Sequence, residues 1–73
     1  MILELTRYLV RAVVTRPNEA KVEHVYSGGL DLLFLSVAKQ DRQNLSERDK
    51  DALALVVERI GKALGREVIV DWR

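Results

Sequence analysis

The chain has 73 residues, of which 48% are hydrophobic and 32% are charged, and its formal net charge is +1. This composition is typical of one small globular domain spanning residues 1–73, and it argues against a disordered chain. The absence of cysteine excludes disulfides and thiolate metal sites. The near-zero net charge argues against a dedicated nucleic-acid-binding protein unless the chain forms a local basic patch.

The N-terminal stretch MILELTRYLVRAVV predicts an amphipathic helix over residues 2–15. Leu5, Leu9 and Val13 recur at helical spacing, and charged residues interrupt the apolar run. The stretch therefore matches neither a signal peptide nor a membrane span, and we expect a cytoplasmic protein that does not bind membranes. Pro17 ends the helix, because the residue before a proline is disfavoured in the helical conformation.

Two strands joined by a tight turn follow the first helix. The segment EAKVEHVYS predicts a strand at residues 19–27, and LDLLFLSV predicts a second strand at residues 30–37. Gly28 and Gly29 tolerate positive φ and therefore predict a two-residue hairpin loop between these strands. The second strand is apolar on both faces, which is typical of a strand in the centre of a sheet.

The second half of the chain predicts a short helix or turn at residues 38–44, a long helix at residues 49–64 and a last strand at residues 66–72. Ser46 and Asp49 have the spacing of a capping box, and Gly65 suits the C-terminal end of the long helix. A right-handed crossover sets the last strand parallel to the central one. We therefore predict an α+β fold with a three-stranded mixed sheet and helices packed on one face.

This element order, α-β-β-α-α-β, is that of type II KH domains, and several segments add to the resemblance. The segment LTRYLVRAVVTRPNEAKVEHV resembles the first helix, turn and acidic first strand of the small one-domain bacterial KH proteins. LSVAKQD resembles their entry into the first core helix, and IGKALGREVIVDW resembles the end of their long helix and their last strand. The resemblance covers nearly the whole chain and implies a KH fold and RNA binding.

The chain departs from that family between the two core helices. KH domains normally carry Gly-x-x-Gly there, which lets the protein backbone approach a nucleic-acid backbone closely. The corresponding stretch RQNLSERD contains no glycine and is shorter than the helix–loop–helix of the family. Residues 39–51 balance four acidic residues against four candidate phosphate-binding cations, which are Lys39, Arg42, Arg48 and Lys50.

Two interpretations of this join are open. Its cations contact the phosphates of single-stranded RNA near the N-terminus of the long helix, or it is only a connector that its own side chains cap. We favour the connector, because Glu47 and Asp49 already complement the positive end of the helix dipole.

The residues that resemble functional groups have simple structural interpretations. His24 is the only histidine and has no recognisable second ligand, so we interpret it as a structural or surface residue. Phe34 is expected in the core. Trp72 covers the edge of the core, joins a subunit contact or stacks on a base, in that order of preference. Because no nucleophile has a base and an orienting group, we expect neither an enzyme nor a cofactor.

Two functional hypotheses remain. In the first, the chain is an RNA-binding KH-like protein whose remodelled loop binds single-stranded RNA weakly or non-specifically. In the second, it is a degenerate KH domain that binds protein without binding nucleic acid. The central strand favours the second, because Leu32 and Phe34 share one side and Leu33 and Leu35 share the other. Since the helices cover one side only, we expect a homodimer or another protein contact through the open sheet face or the first helix.

Overall fold

The computed structural model describes residues 1–73 and confirms the predicted order of elements. The helices and strands are α1 (Ile2–Val13), β1 (Lys21–Ser27), β2 (Leu30–Ser36), α2 (Lys39–Asn44), α3 (Glu47–Ala63) and β3 (Glu67–Trp72). A single 3-10 turn at Pro17–Glu19 leads into β1. No helix combines the length and the apolar character that crossing a membrane requires.

The three strands form a mixed sheet in the order β1-β2-β3, with β2 in the centre as predicted. Strands β1 and β2 are antiparallel, and β2 and β3 are parallel. The hairpin places Ser27 opposite Leu30, and the loop residues Gly28 and Gly29 have φ angles of 58° and 83°. Only residues that tolerate positive φ fit this two-residue turn, so the glycine pair sets the register of the sheet.

All helices lie over one face of the sheet, and the core lies between them and that face. Leu33 and Leu35 of β2 point into it and are fully buried. The core cluster consists of Ile2, Val10, Ala20, Leu33, Leu35, Val57 and Val68. Phe34 is not in the core, contrary to the expectation from the sequence: it lies half-buried on the opposite face, beneath the guanidinium of Arg73.

The connection between α1 and β1 is fixed by a buried carboxylate of α2. Asp41 is 3% exposed and accepts hydrogen bonds from the backbone amides of Thr15 (2.8 Å) and Arg16 (3.1 Å) and from the Thr15 hydroxyl (2.7 Å). These bonds, the Thr15 amide first, hold the pKa of Asp41 below its usual value. They also require extended backbone after Val13, which is why α1 ends two residues earlier than predicted.

Both ends of α3 are capped by its own sequence. The Ser46 hydroxyl accepts from the Asp49 amide at 3.0 Å, so the predicted cap is present, and α3 begins at Glu47, two residues earlier than expected. At the other end Gly65 has a φ of 76°, its amide donates to the Lys62 carbonyl, and the next amide donates to the Gly61 carbonyl. This pair of bonds is a Schellman motif, and it turns the chain directly into β3.

Candidate nucleic-acid interface

The join between α2 and α3 consists of Leu45 and Ser46 alone. The side chain of Ser46 occupies the Asp49 amide, and Glu47 and Asp49 place two carboxylates in the first turn of α3. A phosphate at this helix end would meet both negative charges, although the helix dipole by itself favours anions. The local chemistry of the join is therefore that of a capped connector.

The structure divides the four predicted cations into one paired residue and three unpaired ones. The Lys50 ammonium lies 2.9 Å from a Glu47 carboxylate oxygen, and its side chain is only 17% exposed. Lys39, Arg42 and Arg48 are exposed and take part in none of the five ion pairs of the structure. Three positive charges are thus available to a ligand, and the charge of Lys50 is largely cancelled by its neighbour.

An open apolar groove of about 420 Å³ runs between α1 and the first half of α3. It is lined by Leu9, Ala12, Val13, Leu45, Asp49, Ala52, Leu53, Val56 and Trp72. Val13 and Val56 are each about half exposed, at 50% and 48%. Helix α2 has six residues, and only Asp41 among them is buried. This short helix contributes no residue to the walls of the groove, which stays open between α1 and α3.

Trp72 forms one wall of this groove. It lies on the helix-facing side of β3, opposite Leu35, and it packs against the core as the sequence suggested. Its indole nitrogen donates to the Lys50 carbonyl at 3.0 Å. This bond holds the indole ring in one orientation against α3, so the groove has a rigid aromatic wall.

Two of the three unpaired cations lie one helical turn from residues that line the groove. Arg48 precedes the lining residue Ala52 by one turn of α3, and Arg42 precedes Leu45 by one turn of α2. Lys39 lies elsewhere, in a polar cleft that Arg16 and Gln43 also line. Arg42 and Arg48 thus each lie one helical turn from a residue that lines the groove, whereas Lys39 lines a different cleft.

A polar cluster on the helix-facing side of the sheet was missed from the sequence. Asp31 is 1% exposed and accepts from the Arg66 Nε (2.7 Å) and Nη2 (2.8 Å) atoms, and it lies 2.6 Å from the His24 Nε2 atom. The guanidinium of Arg66 also lies 5.7 Å from the centre of the Tyr26 ring. The predicted hairpin could have indicated the contact between His24 and Asp31, because strand pairing across Gly28-Gly29 puts both residues on one face of the sheet.

This cluster explains the lone histidine in structural terms. Hydrogen bonds from Arg66 are the main cause that lowers the pKa of Asp31 to about 2, and burial of the carboxyl opposes them. An ionised Asp31 accepts from His24 and from Arg66, so it ties the hairpin to the start of β3. No buried side-chain nitrogen or oxygen in the protein lacks a hydrogen-bond partner.

The groove and the two arginines one helical turn from its lining residues offer two kinds of ligand contact. Apolar walls and a fixed indole face suit the flat faces of nucleobases, and guanidinium groups suit phosphates. The structure contains no group of three or more His, Cys, Asp or Glu side chains placed to hold a metal ion. Comparisons with protein-family models, with curated proteins and with solved structures give no match to this chain.

Proposed function

We propose that this protein is a KH-like RNA-binding protein with weak, largely sequence-independent affinity for single-stranded RNA. The observation that supports the proposal is the open apolar groove with its Trp72 wall. Two unpaired arginines, Arg42 and Arg48, lie one helical turn from the lining residues Leu45 and Ala52. Bases lie along the groove, and the arginines contact the phosphates that lead away from it. The mode of binding differs from that of a Gly-x-x-Gly loop, because it uses side chains on both sides of the join in place of backbone amides.

The fold gives further support to a KH-like assignment. The parallel pairing of β2 with β3, the central position of β2 and the order of the helices agree with what the sequence resemblance implies. Fold alone is a weak argument for function, so the proposal depends on the groove.

The charges of the site set the expected strength and salt dependence of binding. Lys50 is paired with Glu47, and Asp49 lines the groove itself, so only two free cations adjoin the bound strand. Two phosphate contacts to a single strand give a salt slope of about −1.4, which weakens binding about 7-fold between 50 and 200 mM salt. Stacking on Trp72 adds about 1–3 kcal/mol per base and is nearly independent of salt.

Fluorescence anisotropy with a labelled, randomised short single-stranded RNA tests the proposal. We expect saturable binding by the unmodified protein and loss of most of the salt dependence in the double variant Arg42→Ala/Arg48→Ala. The matched control is Arg59→Ala/Lys62→Ala, which removes two cations from the other end of α3. Binding that is absent at low salt, or that both double variants weaken equally, would refute the proposed site.

A second candidate function is protein binding by a KH-like domain that does not bind nucleic acid. It is favoured by the character of the groove, which has eight apolar residues and one acidic residue among the nine that line it. Such a groove also accepts the apolar face of a partner helix. The RNA titration above separates the two functions, because the second predicts no RNA binding even at low salt. An Ala52→Glu variant that leaves the fold intact would abolish binding of either ligand and therefore tests the groove itself.

A further inference from the structure

The face of the sheet turned away from the helices carries a continuous apolar strip. Val25, Leu32 and Ile69 lie side by side in one row across the three strands, as the register shows. Val25 and Ile69 are 44% and 45% exposed, and Leu30 and Phe34 extend the strip to either side along β2. No helix of the protein covers this face, because all of them pack on the opposite side.

Charges of opposite sign lie at the two ends of this strip, and two further carboxylates, those of Glu23 and Asp71, lie on either side of Phe34 on the outer strands. Glu67 lies beside Leu30 at one end, and Lys21 lies beside Ser36 at the other. Arg73, directly after β3, shares the basic end and places its guanidinium 4.2 Å from the centre of the Phe34 ring. Glu67 and Arg73 are six positions apart on one extended segment, or about 20 Å, and neither takes part in an ion pair.

We propose that this face is the contact surface of a weak homodimer, in which two sheets pack face to face with their β3 strands antiparallel. The two-fold axis crosses β3 near Val70, so that Arg73 of each copy lies opposite Glu67 of the other. The same axis sets Phe34 of one copy over Leu32 of the other at the centre. It also sets Glu23 and Asp71 on the two edge strands opposite Val25 and Ile69 of the other copy, and their partial desolvation weakens the association. A single surface thereby supplies both halves of an interface, as a two-fold dimer requires.

The charge pattern also disfavours a second two-fold arrangement of the same two faces. A two-fold axis parallel to the strands would lay β1 of one copy over β3 of the other. The basic ends of the two faces would then lie against each other. Lys21 would then face Arg73 of the other copy, and two like-charge contacts would form at the basic end. Like charges placed against each other at an interface disfavour that partner arrangement.

The size of the face predicts that the dimer is weak. Three strands with about 4.8 Å spacing and seven residues with about 3.3 Å rise cover roughly 330 Å² in projection. Stable interfaces bury about 800 Å² of accessible surface per partner, so this face is small for a stable dimer and we expect association only at high protein concentration. The inference does not depend on the proposed function, since the residues of this face lie on the opposite side of the sheet from the groove.

Sedimentation equilibrium of the full chain up to millimolar concentration tests the dimer by charge reversal. Glu67→Arg and Arg73→Glu each place two like-charge pairs at the interface, so each variant alone is expected to dimerise at least about tenfold more weakly. An equimolar mixture of the two restores both opposite-charge contacts and therefore recovers dimerisation as a heterodimer. The matched control is Arg59→Glu, a charge reversal on exposed α3 that leaves the dimer unchanged.

Amide chemical shifts on dilution provide a second, independent readout. The shifts are expected to change at Val25, Leu32 and Ile69 and to stay constant at Val56 in the groove. A protein that remains monomeric at millimolar concentration would overturn the proposal. So would a mixture that dimerises no better than the separate variants, or concentration-dependent shifts confined to α1 and the groove.

Discussion

Substitution of Gly61 by alanine tests the closest approach between α3 and the sheet. Gly61 is buried in the last turns of α3 and faces Val68 of β3. A Cβ atom at this position would overlap the Cγ2 atom of Val68 and lie 3.0 Å from its Cβ atom. Val68 is 7% exposed and β-branched, so its side chain has no free rotamer into which it can withdraw.

Two effects of opposite sign determine the outcome of Gly61→Ala. Alanine is favoured over glycine inside a helix by about 1 kcal/mol, which stabilises the variant. Overpacking of a tight contact costs about 1–3 kcal/mol, because α3 must move away from β3. We therefore expect a net destabilisation of about 1 kcal/mol, or a fall of about 1 M in the urea midpoint at a slope of about 1 kcal/mol/M.

The same substitution should destabilise the protein less when Val68 is shortened. Val68→Ala removes the overlapping Cγ2 methyl group and keeps the Cβ atom 3.0 Å away, so in that background Gly61→Ala retains its helix-propensity gain with a smaller clash. Urea unfolding followed by circular dichroism, applied to the four members of this double-mutant cycle, measures the coupling. The pair Arg59→Ala and Arg59→Gly supplies the propensity difference at an exposed site of α3. Equal destabilisation in both backgrounds, or stabilisation of the unmodified protein by Gly61→Ala, would refute this explanation.

Two further predictions concern the polar contacts. Because the pKa of folded Asp31 is lowered to about 2 from 3.8, its contribution to stability is complete above the higher value and is lost as the pH falls through the lower one. As the pH is lowered from 3.8 to about 2, the urea midpoint of Asp31→Asn should therefore fall less than that of the unmodified protein. If both midpoints fell by the same amount, the role of Asp31 would be contradicted. Ser46→Ala should cost about 1 kcal/mol through loss of the α3 cap, whereas Ser46→Asp, which keeps an acceptor, should cost much less.

Local sequence patterns predicted the three strands and whether neighbouring strands run parallel or antiparallel. The glycine pair predicted the hairpin, and the helical segment between β2 and β3 predicted a right-handed parallel crossover. Element order and strand pairing could therefore be predicted from the sequence. The side of β2 that faces the helices was not predictable from β2 alone, because both sides are apolar. Phe34 was misplaced for that reason. The hairpin places Asp31 and His24 on one face, but it did not indicate that Asp31 is paired with a cation, since Arg66 is 35 positions away.

The candidate site was predictable in composition and not in geometry. All four cations lie within twelve consecutive positions of the chain, yet the structure turns Lys50 towards Glu47 and Lys39 towards a different cleft. The groove itself depends on how closely α1 and α3 approach over the sheet. The Asp41 contacts that end α1 join residues 25 and 26 positions apart, and no local sequence pattern reports contacts of that range.

The positions of the two proposed surfaces make the proposals separable. The groove opens between the helices, and the apolar strip lies on the far side of the sheet, so a dimer formed through the strip leaves both grooves on its outer sides. With about 10 Å between packed sheets and a helix layer about 10 Å thick on each, the grooves lie roughly 30 Å apart. If both proposals hold, a short RNA occupies one groove only, and Glu67→Arg should leave its affinity unchanged. A long RNA that reaches both grooves gains from the effective concentration of the second site, so dimerisation strengthens its binding alone.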